Sequence, residues 1–247
     1  MGLAYYNEID PFAAAWLQRL INSGHIAPGI VDTRSIEDVK PDDLRGFTQC
    51  HFFAGIGVWS HALRLAGWPD DRPVWTGSCP CQPFSAAGKG DGFADERHLW
   101  PAFFHLIKER RPSAVFGEQV ASKDGLAWLD LVHADLEGEG YTVGAADLCA
   151  AGIGAPHIRQ RLYWVADADC EQRDGSRHLG QGRRSELADR RDVGGLADAI
   201  SRGQQRARGS CEEKGLRIAE CCLSGRVADA INAYQAEAFI TAYLESI

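Results

Sequence analysis

Along the first 166 residues, short apolar runs alternate with stretches of helical periodicity, the pattern of a mostly parallel sheet covered by helices. Asp10-Pro11 opens a helix with proline in its first turn. Phe12, Ala15, Trp16 and Leu20 follow at helical spacing, and Ser23-Gly24 ends it. Ile30-Val31 reads as a short strand and Gln49 to Ala54 as a longer one. Val58 to Ala66 reads as a helix that Gly67-Trp68-Pro69 stops. Strands are expected at Val74 to Ser78, Ala114 to Gly117, Tyr141 to Cys149 and Leu162 to Ala166. Apolar helices are expected at Leu99 to Ile107 and Leu126 to Leu136.

Beyond Asp167 the pattern fails: Arg, Gly, Asp, Ser and Gln dominate, and large apolar residues are sparse until Ile231. A Val/Leu-Ala-Asp tripeptide recurs at 165, 187, 196 and 227, too irregularly for a solenoid. Ala230 to Leu244 then places Ile231, Tyr234, Phe239, Ile240, Tyr243 and Leu244 largely on one helical face. The expected division is a catalytic and cofactor-binding domain over 1–166, an irregular insertion over 167–229, and a C-terminal helix over 230–247 packing back on the core.

At 247 residues and 45% hydrophobic, the chain can bury one sizeable core. No run approaches the roughly 20 apolar residues of a membrane span, so a soluble, cytoplasmic monomer is expected. The eight cysteines form no regular framework, which favours reduced thiols. Cys79-Pro80-Cys81 has one intervening residue where structural zinc sites usually have two or more, so no metal is expected. The net charge of −8 argues against a DNA partner only until it is divided along the chain: residues 170–227 hold twelve Lys/Arg against nine Asp/Glu. Arg173, Arg177, Arg183, Arg184, Arg190 and Arg191 in that stretch either meet phosphates without regard to sequence or belong to a solvated linker.

The chemistry is concentrated in four stretches. Phe53-Ala54-Gly55-Ile56-Gly57 joins a strand to a helix, and its glycines allow backbone and helix N-terminus to approach a cofactor. Gly77-Ser78-Cys79-Pro80-Cys81-Gln82-Pro83-Phe84-Ser85 follows a strand and presents a thiol among rigid and polar neighbours. Phe116-Gly117-Glu118-Gln119-Val120 puts a carboxyl at a strand end. Ala155-Pro156-His157-Ile158-Arg159-Gln160-Arg161-Leu162-Tyr163 sets Arg159 and Arg161 on one face of a strand, to orient a base, a phosphate or Glu118.

Together these stretches resemble the cytosine-5 DNA methyltransferase family, over roughly residues 5 to 166 and the C-terminal helix. The resemblance implies a Rossmann-like α/β fold, a mostly parallel sheet flanked by helices, with S-adenosylmethionine as cofactor and DNA as partner. It implies that Cys81 is the nucleophile at carbon 6 of cytosine, that Glu118 contacts the extruded base and that Arg159 with Arg161 supports the site. Phe53 to Gly57, Pro80 and Leu99 would line the cofactor, and Gln82, Ser85, Arg183 and Arg184 would meet DNA.

The sequence departs from the family pattern in three respects. Only residues 58 to 76 separate Gly57 from Gly77, too few for the usual ribose and adenine units. Asn7-Glu8-Ile9-Asp10-Pro11 resembles the first of these, and Val31-Asp32-Thr33-Arg34 the second. Both precede the glycine turn, which implies a permuted motif order. Glu8 and Ile9 would then serve the ribose, Asp32 and Thr33 the adenine. His51 and His157 replace residues more usual in the family. The recognition region is short, with Ala228-Asp229-Ala230-Ile231 where a Gly-Asn-Ala-Val-like motif is expected. An alternative reading is therefore a catalytically impaired DNA-binding or cofactor-binding remnant. A thiol oxidoreductase using Cys79 and Cys81, or a nicotinamide enzyme using the glycine turn, leaves Glu118 and the two arginines without a role.

Overall fold

The computed structural model describes residues 3–80, 99–155, 157–168 and 232–247. Seven strands, β1 (Ala4–Asn7), β2 (Gly29–Asp32), β3 (Gln49–Phe52), β4 (Val74–Gly77), β5 (Ala114–Val120), β6 (Thr142–Cys149) and β7 (Gln160–Asp167), form one sheet in the order β2-β1-β3-β4-β5-β7-β6. The first five run parallel, while β7 is antiparallel to both β5 and β6. This is a Rossmann-like α/β sheet whose glycine-turn strand, β3, is third in the chain and lies between β1 and β4.

Strands β1, β3 and β4 are buried at every position, because helices cover both faces of the sheet. On one face Tyr5, Phe52, Trp75, Val115 and Trp164 pack under α3 (Trp100–Arg110) and α4 (Lys123–Gly138). On the other, Val74, Phe116, Tyr163 and Val165 pack under α2 (Val58–Leu65) and the C-terminal helix α5 (Ala233–Ser246). The remaining helix, α1 (Pro11–Asn22), closes a smaller cluster of Ala4, Tyr6, Leu17, Ile26 and Ala27. Among the described residues no helix is long and apolar enough to cross a membrane.

Several element boundaries and one helix face differ from the periodicity reading. Helix α1 buries Ala13, Ala14 and Leu17, while Phe12 and Trp16 stay 50% and 40% exposed. Leu17 is the large residue on the inward face and packs against Gly57, where an added Cβ would lie 3.0 Å from Leu17 Cδ2. Helix α4 starts three residues before Leu126, capped by Ser122, whose hydroxyl accepts the Gly125 N–H at 3.0 Å. Helix α5 starts at Ala233 rather than Ala230, since the Asn232 carboxamide accepts the Tyr234 and Gln235 N–H groups. Strand β5 runs on past Gly117 to Val120, because β7 pairs with it from Ala114 to Val120.

Candidate active site

The carboxyl ends of the parallel strands converge, and in open α/β sheets that edge receives ligands. Five stretches meet there: Glu8 after β1, Asp32 ending β2, the Phe53–Gly57 turn after β3, Ser78 to Pro80 after β4, and Glu118 near the end of β5.

The glycine turn is built from left-handed residues. Phe53, Gly55 and Gly57 have φ of 52°, 54° and 80°, and Gly57 caps α2. The turn is tied to β1 by two bonds: the Ala54 N–H donates to the Asn7 carbonyl at 3.0 Å, and the Gly55 N–H donates to Glu8 Oε2 at 2.6 Å. The other Glu8 oxygen accepts the Asp10 N–H at 2.9 Å. Ile9 beside it is 66% exposed, Thr33 is exposed, and Ile56 is half-buried within the turn.

Asp32 is more fully engaged. Burial works to raise its pKa, but donated bonds prevail and hold it at about 2. Those bonds come from the Arg34 guanidinium (2.6 Å at the shortest), the Arg34 N–H (2.9 Å) and the Tyr5 hydroxyl (2.7 Å). Arg34 also reaches Asp43 at 3.0 Å. An apolar wall completes this side: Phe53 meets Phe103 edge-on with ring centroids 6.2 Å apart, and Leu99 packs on the same core at the start of α3. A cofactor bearing a ribose and an adenine would fit this donor and acceptor set. Glu8 keeps lone pairs to spare for hydroxyls, whereas Asp32 has room for an adenine amino group once Arg34 turns aside.

The other half of the site is built on two adjacent glycines. Gly77 and Gly117 are register partners on β4 and β5. A Cβ on Gly77 would lie 2.4 Å from the Phe103 ring, and one on Gly117 would lie 2.1 Å from the Trp164 indole. Beyond these glycines stand Ser78 and Glu118. Glu118 is 7% exposed and pairs with Arg161 Nε at 2.6 Å. Burial pushes its pKa up to about 7, against the pull of Arg161, Arg159 and a hydrogen bond from Ser78. A carboxyl held near neutrality can give a proton to a ring nitrogen and receive it back. Arg161 belongs to β7 and lies on the same face as Glu118, whose register partner is Tyr163. Arg159 falls just before the strand. Its carbonyl accepts the Ala150 N–H (2.9 Å) and the Gln235 side-chain amide (3.1 Å).

The structure therefore brings Glu118, Arg159 and Arg161 together at one end of the edge, and Glu8, Asp32 and Phe53 to Gly57 at the other, while Leu99 stands at the start of α3 on the core beneath. Pro80 is exposed where the description pauses. Cys81, Gln82, Ser85, Arg183 and Arg184 lie outside the described residues, as does most of the 167–229 stretch. Cys79 is 6% exposed and burial pushes its thiol pKa up, the opposite of what a redox-active thiolate needs. His51 is a core residue: it stacks on Tyr6, contacts Thr76 at 2.8 Å, and burial lowers its pKa to about 3. His157 is half-buried. Among the described residues no group of three His, Cys, Asp or Glu could hold a metal.

Four residues had no assigned role before the geometry was known: Tyr5 and Arg34 on Asp32, Ser78 on Glu118, and Gln235 on the loop before β7. Gln235 alone carried a signal, as a polar residue within an apolar helix stripe; its amide donates to the Leu148 carbonyl at 2.8 Å.

The family described as C-5 cytosine-specific DNA methylase matches residues 68–192. Among relatives, Type II methyltransferase M.HaeII of Haemophilus aegyptius is 35% identical over 175 residues, 68% of this chain and 46% of that protein. Type II methyltransferase M1.ScrFI of Lactococcus lactis subsp. cremoris is 31% identical over 170 residues, 66% of this chain and 41% of that protein. A solved Spodoptera frugiperda DNMT2 mutant aligns with a TM-score of 0.46 and 17% identity, over 74% of this chain and 45% of that one. The chain belongs to the C-5 cytosine-specific DNA methylase family, and it spans less than half the length of these curated relatives.

Proposed function

We propose that this chain transfers a methyl group from S-adenosylmethionine to carbon 5 of cytosine in DNA through a covalent adduct with Cys81. The observation that carries the reading is the buried Glu118–Arg161 pair, set one strand over from the end of β4 that leads into Cys79-Pro80-Cys81. The extruded cytosine, whose unstacking costs on the order of a few kcal/mol, sits with ring nitrogen 3 against Glu118. Cys81 adds to carbon 6 and Glu118 supplies a proton at nitrogen 3 as charge develops on the ring. Arg161 and Arg159 hold Glu118 and the base in register. The cofactor supplies an electrophilic methyl; Glu8 and Ile9 receive its ribose, Asp32 and Thr33 its adenine, and the Phe53–Gly57 turn, Pro80 and Leu99 enclose it. Carbon 5 takes the methyl, solvent takes the carbon 5 proton, and the electron pair left behind expels Cys81 while Glu118 recovers the proton from nitrogen 3.

Gln82, Ser85, Arg183 and Arg184 meet DNA in this reading, and the protein works as a cytoplasmic monomer. The motif order is permuted: the units for ribose and adenine precede the glycine turn, and the placement of β1 between β2 and β3 supports it. Residues 1–166 then form the catalytic domain, 167–229 a shortened recognition insertion and 230–247 a helix closing the core.

A second reading, a remnant that binds cofactor or DNA without turnover, is favoured by the short recognition region and by Ala228-Asp229-Ala230-Ile231 standing where a Gly-Asn-Ala-Val-like motif is expected. Incubation with methyl-labelled S-adenosylmethionine and mixed-sequence DNA separates the two. Label in 5-methylcytosine with the unmutated chain and none with Cys81→Ala is the expected result. Bound cofactor with no label in cytosine would overturn the catalytic reading in favour of the remnant.

A further inference from the structure

We propose that Ser78, held by Trp59, is a positioning residue that fixes the orientation and ionisation of Glu118, an inference whose catalytic meaning rests on the role given to Glu118 above. The register pair Gly77–Gly117 places the next residues, Ser78 and Glu118, side by side with their side chains on the same face. From α2, the Trp59 indole N–H donates to Ser78 Oγ at 3.0 Å. An indole nitrogen can only donate, so Ser78 must accept there, and its single proton is left for Glu118. Donation therefore runs one way, from Trp59 through Ser78 to the carboxyl, while Arg161 Nε grips Glu118 Oε1 from β7. Glu118 is clamped between two strands by groups that all donate, which orients it and favours its charged form against burial.

Among the described residues, the charged and titratable groups bearing on Glu118 are Arg161, Arg159 and Tyr163. Both arginines keep their charge across the neutral range, and burial pushes the Tyr163 hydroxyl well up. A titration near neutrality in this cluster therefore belongs to Glu118.

The test is a carbon-13 titration of the Glu118 carboxyl in the full chain, assigned by its loss in Glu118→Gln and made without DNA or cofactor. Failure of the methylation assay thus leaves it standing, and its own failure leaves that assay untouched. Ser78→Ala removes a donor to the carboxylate, so the midpoint moves up from about 7 by about half to one pH unit. Ser78→Thr, which keeps the hydroxyl, restores it. Trp59→Phe raises it by a smaller amount, because an unpolarised hydroxyl donates less strongly. Adding Trp59→Phe to Ser78→Ala gives no further shift, as expected for one relay. An unchanged midpoint in a folded Ser78→Ala protein overturns the proposal. If that variant does not fold, an unchanged midpoint in Trp59→Phe does so.

Discussion

Asp32 and Glu118 are both carboxyls at the ends of parallel strands, and both are bonded to an arginine at 2.6 Å, yet they are tuned in opposite directions. Asp32 is held at about 2 and Glu118 at about 7. The difference lies in where the partner stands. The Arg34 side chain is 46% exposed, so it keeps much of its own hydration while placing a fork and a backbone N–H on Asp32. The Arg161 side chain is 16% exposed and meets Glu118 on a buried strand face, where desolvation of the carboxyl exceeds the pair's attraction. An ion pair drawn from sequence alone does not say which carboxyl will hold a proton.

The largest test of this contrast is Glu118→Gln. If the elevated carboxyl supplies a proton to the base, the methyl-transfer rate falls by about 10²- to 10⁴-fold while cofactor affinity stays unchanged. Equal loss in binding and turnover would erase the division between the two ends of the site.

Gly117→Ala tests the packing beneath Glu118. The new Cβ would meet the Trp164 indole at 2.1 Å, so about 1–3 kcal/mol of stability should be lost in chemical denaturation. Gly138→Ala is the control: nothing lies within 4 Å of its added carbon, and it should be neutral or slightly stabilising.

These pairs also show how much the chain made legible. The order of strands and helices from Gln49 onward could be read from apolar runs, since most runs had a glycine or proline stop. Strand β1 could not: Ala4-Tyr5-Tyr6-Asn7 is four residues, buried on both faces, and has no alternation to read. The inward face of α1 is not legible from bulk, since Ala13, Ala14 and Leu17 are buried while the larger Phe12 and Trp16 stay exposed. Glu118 and the two arginines were visible as residue types in a motif. Their ionisation was not, because it depends on burial and on Ser78, which register alone brings beside Glu118.

On the cofactor side, Asp32→Asn should weaken S-adenosylmethionine binding by about tenfold, the value of a hydrogen bond to a charged group, with turnover at saturating cofactor unchanged. Isothermal titration beside single-turnover kinetics would read both. A fall in turnover instead would mean that the two ends are coupled.

The smallest effect expected is that of Arg34→Ala, and its sign carries the information. Asp32 has a folded-state pKa lowered from 3.8 to about 2, so its contribution to stability is present above about 4 and disappears as the pH falls through 2. Removing Arg34 returns the carboxyl toward its ordinary range. Urea midpoints of variant and parent should then differ at pH 6 and converge near pH 2. The same change frees Asp32 oxygens that Arg34 now occupies, so cofactor affinity should rise by a few-fold at neutral pH. A fall in affinity would mean that Arg34 holds Asp32 ready for the adenine amino group rather than competing with it. The outward-facing arginine would then orient its carboxyl as Arg161 orients Glu118, leaving their ionisation as the difference between the two ends of the site.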